Sequence, residues 1–134
     1  MFRRDYLVKQ LETFGKALAL AIGQRKRNEI EAYERSFAEL TQTYAGISVK
    51  DLGHMATHEF NQLLEDGDVS KKKIFAALLF EYYLQMGDSL GAAEQLAAGQ
   101  RCLLLYQNIS EDISSGAYDL DVHYKLQVLK ENLS

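Results

Sequence analysis

His54 and His58 lie four residues apart in a segment whose apolar spacing predicts a helix, which would set both imidazoles on one face at a separation suited to a shared metal ion. A structural or catalytic zinc needs at least a third protein ligand, and folding would have to bring His123, Cys102 or Glu59 to the pair. Glu59 follows His58 directly, whereas helical zinc proteases place the glutamate between the histidines. Two helix-surface histidines are therefore the simpler reading, and no metal is expected. Cys102 is the one cysteine; it borders the apolar run Leu103-Leu104-Leu105 and reads as a buried structural thiol that has no internal disulfide partner. Glu81 is the lone charge between Ile74 and Leu84. It is expected on a thin exposed strip with Gln85 or, if buried, paired, because an isolated buried charge is costly. The sequence holds no glycine-rich phosphate loop, no nucleophile elbow and no cysteine in a catalytic context. Enzymatic activity and a cofactor are not expected.

The elements that must carry these residues are helical. With 134 residues, 47% hydrophobic and 25% charged, the chain has the composition of one ordinary globular domain spanning 1–134. It contains no proline, and residues that favour helix dominate, so roughly three-quarters helix and no sheet are expected. Six antiparallel helices follow from the periodicity, arranged as stacked hairpins or a bundle. The first runs from about Arg4 to Ile22, with Leu7, Leu11, Phe14, Leu18 and Ile22 on one stripe, and Gly23 to Arg27 connects it onward. The second runs from about Asn28 to Tyr44, with Ile30, Tyr33, Phe37, Leu40 and Tyr44 spaced to match. A third begins at Ser48, which forms a capping-box pattern with Asp51, buries Leu52, Met55, Ala56, Phe60, Leu63 and Leu64, and stops at Asp66-Gly67-Asp68. Asn108 to Gly116 is the loosest stretch, and a last helix covers about Ala117 to Leu133. That helix has two apolar faces. Tyr118, Val122, Leu126, Leu129 and Leu133 form one, and Leu120, Tyr124 and Val128 form another that is free for self-association or is wedged between neighbours.

The fourth and fifth helices carry the most specific pattern. Lys71 to Met86 is apolar on most sides, Gly87 can close it in the left-handed conformation, and Asp88 or Ser89 can cap the next helix. Ala92, Ala93, Ala97 and Gly99 then let the second helix lie close against the first. Tyr83, Gly87, Ala92, Leu96 and Gly99 fall at offsets that resemble the 34-residue tetratricopeptide repeat, with residues 73–106 as one copy. The sequence departs from that pattern at Ala76, Phe80 and Leu104, where tryptophan, a small residue and proline are usual, and residues 39–72 carry no second copy. The arrangement is also similar to small uncharacterised bacterial helical proteins with one such hairpin. In the tetratricopeptide family the first helix of each pair lines a concave surface, so the resemblance implies that Ile74, Ala77, Glu81, Leu84 and Gln85 face a bound segment. These residues lack the family's lysine and asparagine clamp for a C-terminal carboxylate. An amphipathic segment carrying Lys or Arg is the ligand that an apolar groove with one acid would suit, including the chain's own N-terminal helix.

Charge is unevenly spread. Arg3, Arg4, Lys9, Lys16, Arg25, Lys26 and Arg27 against Asp5 and Glu12 give residues 1–27 a balance of +5, which leaves −9 on the rest of a chain totalling −4. A basic amphipathic helix can meet an anionic membrane surface or nucleic acid. Asp5 and Glu12 interrupt the cluster and no recognition motif accompanies it, so a solvated helix face is the expected role. The stretch Ala17 to Gln24 is too short and too deep behind charges for a secretion signal, no run approaches the ~20 apolar residues of a membrane span, and a cytoplasmic setting is expected. The sequence thus predicts a non-enzymatic adaptor for a protein or peptide partner, with a self-associating helical bundle, such as a homodimer, as one alternative and membrane-surface or nucleic-acid association through the basic N-terminal helix as another.

Overall fold

The computed structural model describes residues 2–85, 91–111 and 120–133. Helix covers 89% of them and no strand occurs among them, so the chain is all-α. The helices group into two compact units, residues 1–49 and 50–134.

The first unit is a hairpin of α1 (Phe2–Lys26) and α2 (Ile30–Tyr44). Its antiparallel register is set by the Phe14 and Tyr44 rings, 5.3 Å apart edge to face, and by Ser36 Oγ donating to Gln24 Oε1 at 2.7 Å. In that register, α1 residues 2–13 run past the end of α2. Phe14 and Ala21 are buried on one side, and Tyr33, Phe37 and Leu40 on the other, while Ile30 stays 44% exposed. The first helix does not stop at Gly23. Its interior hydrogen bonds continue until Asn28, which adopts a φ of 62° as Glu29 N–H returns to the Gln24 carbonyl at 2.9 Å. Asparagine tolerates that left-handed conformation, whereas Gly23 within the helix is only a weak interruption. Gly46, at φ 75°, ends the second helix in the same manner.

The second unit contains α3 (Val49–Gly53), α4 (Thr57–Asp66), α5 (Val69–Gln85), α6 (Ala92–Glu111) and α7 (Leu120–Leu133). One expected helix is thus two. The His54 amide is shared between the Lys50 and Asp51 carbonyls, both at 3.1 Å, which tightens and closes the short α3 before α4 starts at Thr57. Between α4 and α5, Asp68 Oδ1 accepts from Ser70 N–H at 2.8 Å and caps α5. At Gly67 a side chain would meet the Leu63 carbonyl oxygen at 2.4 Å, so the turn requires glycine.

The three long helices α5, α6 and α7 pack as successive antiparallel neighbours. Gly99 of α6 lies directly against Tyr83 of α5, where an added Cβ would stand 2.7 Å from the ring. The small residue expected at this crossing is therefore what allows the close approach. Ile74, Phe75, Ala76, Leu78, Leu79, Tyr82 and Tyr83 of α5 are buried, as are Ala98, Cys102, Leu105, Tyr106 and Ile109 of α6. Val122, Leu126 and Leu129 of α7 close this core. Two polar contacts register α5 on α6: Lys72 Nζ donates to Asn108 Oδ1 at 2.7 Å, and Cys102 Sγ donates to the Ala76 carbonyl at 3.4 Å. Lys125 fixes α7 to both, its Nζ lying 5.2 Å from the Phe80 ring centre and 5.8 Å from that of Tyr106 while pairing with Asp121 at 3.2 Å. The α6 helix continues to Glu111, so residues 108–111 belong to it rather than to the expected loose stretch. The Gly87-Asp88-Ser89 turn, residues 112–116, the expected start of the last helix at Ala117 and the core position of Tyr118 lie outside the described residues. Among the described residues, no helix is long and apolar enough to cross a membrane.

Candidate functional site

The α5 face predicted from the resemblance to tetratricopeptide repeats is divided by the structure. Ile74 and Glu81 are buried, at 3% and 5% exposure, Ala77 is half-buried, and only Leu84 and Gln85 are exposed. The least buried strip of α5 instead runs along Lys73, Ala77, Phe80 and Leu84, spaced three and four apart, with Leu84 exposed and the other three half-buried. It is rotated by about one residue from the predicted face, and on it Phe80 meets the Tyr106 ring of α6 edge to face at 6.3 Å and lies under Lys125 of α7. Glu81, expected to be exposed with Gln85, is inside. No buried side-chain nitrogen or oxygen among the described residues lacks a hydrogen-bond partner, so its burial meets the condition set by desolvation.

The paired histidines do not share a helix. His54 sits in the turn after α3, with Nε2 3.9 Å from Glu94 Oε1, and His58 is exposed in the first turn of α4. Among the described residues, no three His, Cys, Asp or Glu side chains gather closely enough to hold a metal ion. Cys102 is fully buried, and desolvation pushes its thiol well above the ordinary range, so the folded protein keeps it protonated.

On α7 the residues of the two predicted faces differ in burial. Val122, Leu126 and Leu129 enter the core, whereas Leu120 and Tyr124 are 71% and 62% exposed, with Val128 half-buried beside them.

Among the described residues of the second unit, two hollows stand out. One, of about 480 Å³, is lined by Tyr83, Leu84, Ala92, Gln95, Leu96, Asn132 and Leu133, none of them charged. The other, of about 300 Å³, lies between α4 and the start of α5 and is lined by Met55, Glu59, Gln62, Leu63, Asp66, Gly67, Lys71 and Phe75. Its construction follows from local sequence. The α4 helix carries Glu59, Gln62, Leu63 and Asp66 at i, i+3, i+4 and i+7, and these fall on one side. Phe60, on another side, is held under Arg101, whose guanidinium carbon stands 4.7 Å above the ring while Nη1 donates to the Leu52 carbonyl at 3.3 Å. That clamp fixes the rotation of α4. It leaves Glu59 and Asp66 exposed along the outer edge, half-buried Met55 and Leu63 inside, and buried Phe75 at the base. Lys71 lies on the α5 side, its Nζ 5.5 Å from the Phe75 ring centre. The hollow therefore has an apolar floor, two carboxylates on its α4 edge and one ammonium on its α5 edge. Arg101 itself is partly desolvated, which lowers its pKa from the usual arginine value, yet no titration near neutral pH follows for a guanidinium.

In the sequence, Glu59 reads only as a metal candidate and Asp66 as part of a stop signal. The i, i+7 spacing of the two acids was readable, but their shared edge becomes a site only once Phe60 has set the rotation of α4. No protein-family model, curated protein or solved structure matches this chain.

Proposed function

We propose that the chain is a non-enzymatic interaction module that binds an amphipathic, basic protein segment in the hollow between α4 and α5. The observation that carries this reading is the pairing of an apolar floor, made by Met55, Leu63 and Phe75, with an acidic α4 edge, made by Glu59 and Asp66. Apolar burial provides most of the association energy in such grooves, and complementary edge charges select partner and orientation. The site has moved from the α5 surface to the neighbouring groove, while the class of ligand is the one expected from sequence. A cytoplasmic setting and helical-hairpin repeat character belong to the same reading, and the close α5 and α6 crossing at Gly99 supports the second of these. The reading needs no cofactor. Titration of a labelled basic amphipathic helical peptide into the full chain tests it by fluorescence anisotropy. Saturable binding that weakens in Leu63→Asp, and does not for an acidic peptide of equal hydrophobicity, is the expected outcome; equal affinity for both peptides rejects it.

Self-association is a second reading, favoured by the exposure of Leu120 and Tyr124 on one face of α7. A stable interface buries about 800 Å² per partner across some 20–30 residues, and three side chains are far short of that. Alone, this face would hold a second copy only weakly. Sedimentation of the wild type against Leu120→Ser/Tyr124→Ser, over a hundredfold concentration range, reads the difference; identical monomer profiles discard the dimer.

A further inference from the structure

The α4 edge carries its two carboxylates at a fixed spacing. Glu59 and Asp66 are seven residues apart on one continuous helix, and seven residues rise about 10 Å and return to nearly the same face. Leu63 stands between them and leads to the floor over Phe75, and Lys71 opposes them from α5. This geometry distinguishes a particular order of charges from mere basicity.

Resting on the reading that this hollow binds a basic amphipathic segment, we propose that it recognises a partner helix with two cations seven residues apart and a large apolar residue at the third or fourth place between them. The cations meet Glu59 and Asp66, and the apolar side chain enters over Leu63 and Phe75. The flank turned toward Lys71 is neutral or acidic, since a third cation there would face a like charge. The same rule excludes the chain's own first helix as the occupant. Lys9 and Lys16 have the required separation and both are exposed, but the places between them hold Glu12 and Thr13. A second copy's α1 would therefore bring a carboxylate against the acidic edge, with no apolar group for the floor.

The decisive measurement uses helix-stabilised, fluorescein-labelled peptides of one composition, titrated into the full chain and followed by anisotropy. One carries lysines at i and i+7 flanking leucines at i+3 and i+4, and a second carries the lysines at i and i+4 with the leucines kept on the same face. A third reproduces residues 2–26 of this chain. Exposed ion pairs are weak, so loss of one pair should cost about two- to five-fold in affinity. The first peptide is expected to bind tighter than the second by that factor, and the preference is expected to vanish in both Glu59→Gln and Asp66→Asn. Each variant changes an exposed side chain, and unchanged thermal unfolding confirms that the fold is kept. Equal binding of the first two peptides, or a preference that survives in both variants, overturns the spacing rule and leaves the general reading of a basic amphipathic ligand standing. Binding of the 2–26 peptide as tight as the first overturns the rule too, and makes a second copy the occupant. If no basic peptide binds, the reading and the spacing rule fall together.

Discussion

Residues 1–49 and residues 50–134 bury their helices to different depths. In the hairpin of the first unit each helix has one partner within the unit, so a single stripe enters the interface and Leu18 and Ile22 are only half-buried. In the second unit α5 packs against α6, meets Lys125 of α7 at Phe80 and borders α4 across the hollow at Lys71 and Phe75, and its buried residues cover most of its circumference, leaving the strip of Lys73, Ala77, Phe80 and Leu84. The same depth of burial makes α5 accept polar groups inside, with Ser70, Lys72 and Glu81 all below 6% exposure. A helix buried on most sides has only a narrow strip left over for charges. Such residues must then find partners within the fold, as Lys72 does on Asn108. Where burial is one-sided, polarity is sorted by periodicity; where burial surrounds a helix, it is sorted by pairing.

The sharpest way to break this comparison is to remove equal side chains from the two regions. Leu79→Ala, at a fully buried place on α5, should lower unfolding stability by about 2–5 kcal/mol, as large-to-small core changes do. Leu18→Ala, at a half-buried place on α1, should cost less than half as much. Urea unfolding followed by circular dichroism measures both, and equal losses would mean that the two regions do not differ in packing. Gly99→Ala tests the crossing itself. Because the new methyl group would stand 2.7 Å from the Tyr83 ring, the helices must shift apart, at a cost of about 1–3 kcal/mol. A neutral or stabilising result would show that Tyr83 can move aside, since glycine to alanine within a helix is otherwise favourable.

A pH series probes the same buried layer. Burial raises the Cys102 thiol and the Tyr82 and Tyr83 hydroxyls above their ordinary values, so the folded state holds these protons after the unfolded state has released them. Stability is therefore complete below about pH 8.5, where an unfolded thiol begins to ionise, and declines as pH rises beyond it. The slope attributable to one group is at most about 1.4 kcal/mol per pH unit. Cys102→Ala should flatten the decline between pH 8.5 and 10 and leave the tyrosine part above it; an unchanged curve would show that the thiol is not the group responsible. Smaller still, Lys125→Met should cost about 1 kcal/mol by losing its aromatic and Asp121 contacts while keeping the stem packed. At the bottom of the scale, Glu29→Gln breaks the 3.0 Å pair with Arg27 on the surface and should leave the urea midpoint where it was. A clear shift there would mean that the connection between α1 and α2 depends on that pair.

The residues explain which features were legible. Periodicity placed Tyr33, Phe37 and Leu40 of α2 and Val122, Leu126 and Leu129 of α7 inward, while on α1 only Phe14 of the expected stripe is buried, because a helix with one covered side writes its contact into positions three and four apart. The α5 and α6 hairpin was readable for a different reason: Gly99 against Tyr83 is a local size requirement that only a small residue meets. The division of the third helix was not readable, since Leu52, Met55, Ala56 and Phe60 keep helical spacing across a break made by hydrogen bonds at His54. Nor was the rotation of α5. A helix apolar on most sides has almost no preferred direction in its sequence, so the choice between Glu81 and Phe80 as the outward residue was left to its neighbours.

Composition, periodicity and small-residue spacing were sufficient by themselves to determine an all-helical chain, the central inward residues of α2 and α7 and the close α5 and α6 crossing. They act through local geometry, and each residue reports on its own turn. Tertiary structure alone decided that Glu81 is buried, that Lys125 lies over Phe80, and that Glu59, Leu63, Asp66 and Phe75 enclose one hollow. Those outcomes depend on how a second helix is turned when it arrives. That rotation is fixed by the sum of many weak contacts, among them Arg101 on Phe60, and no single stretch of sequence contains it.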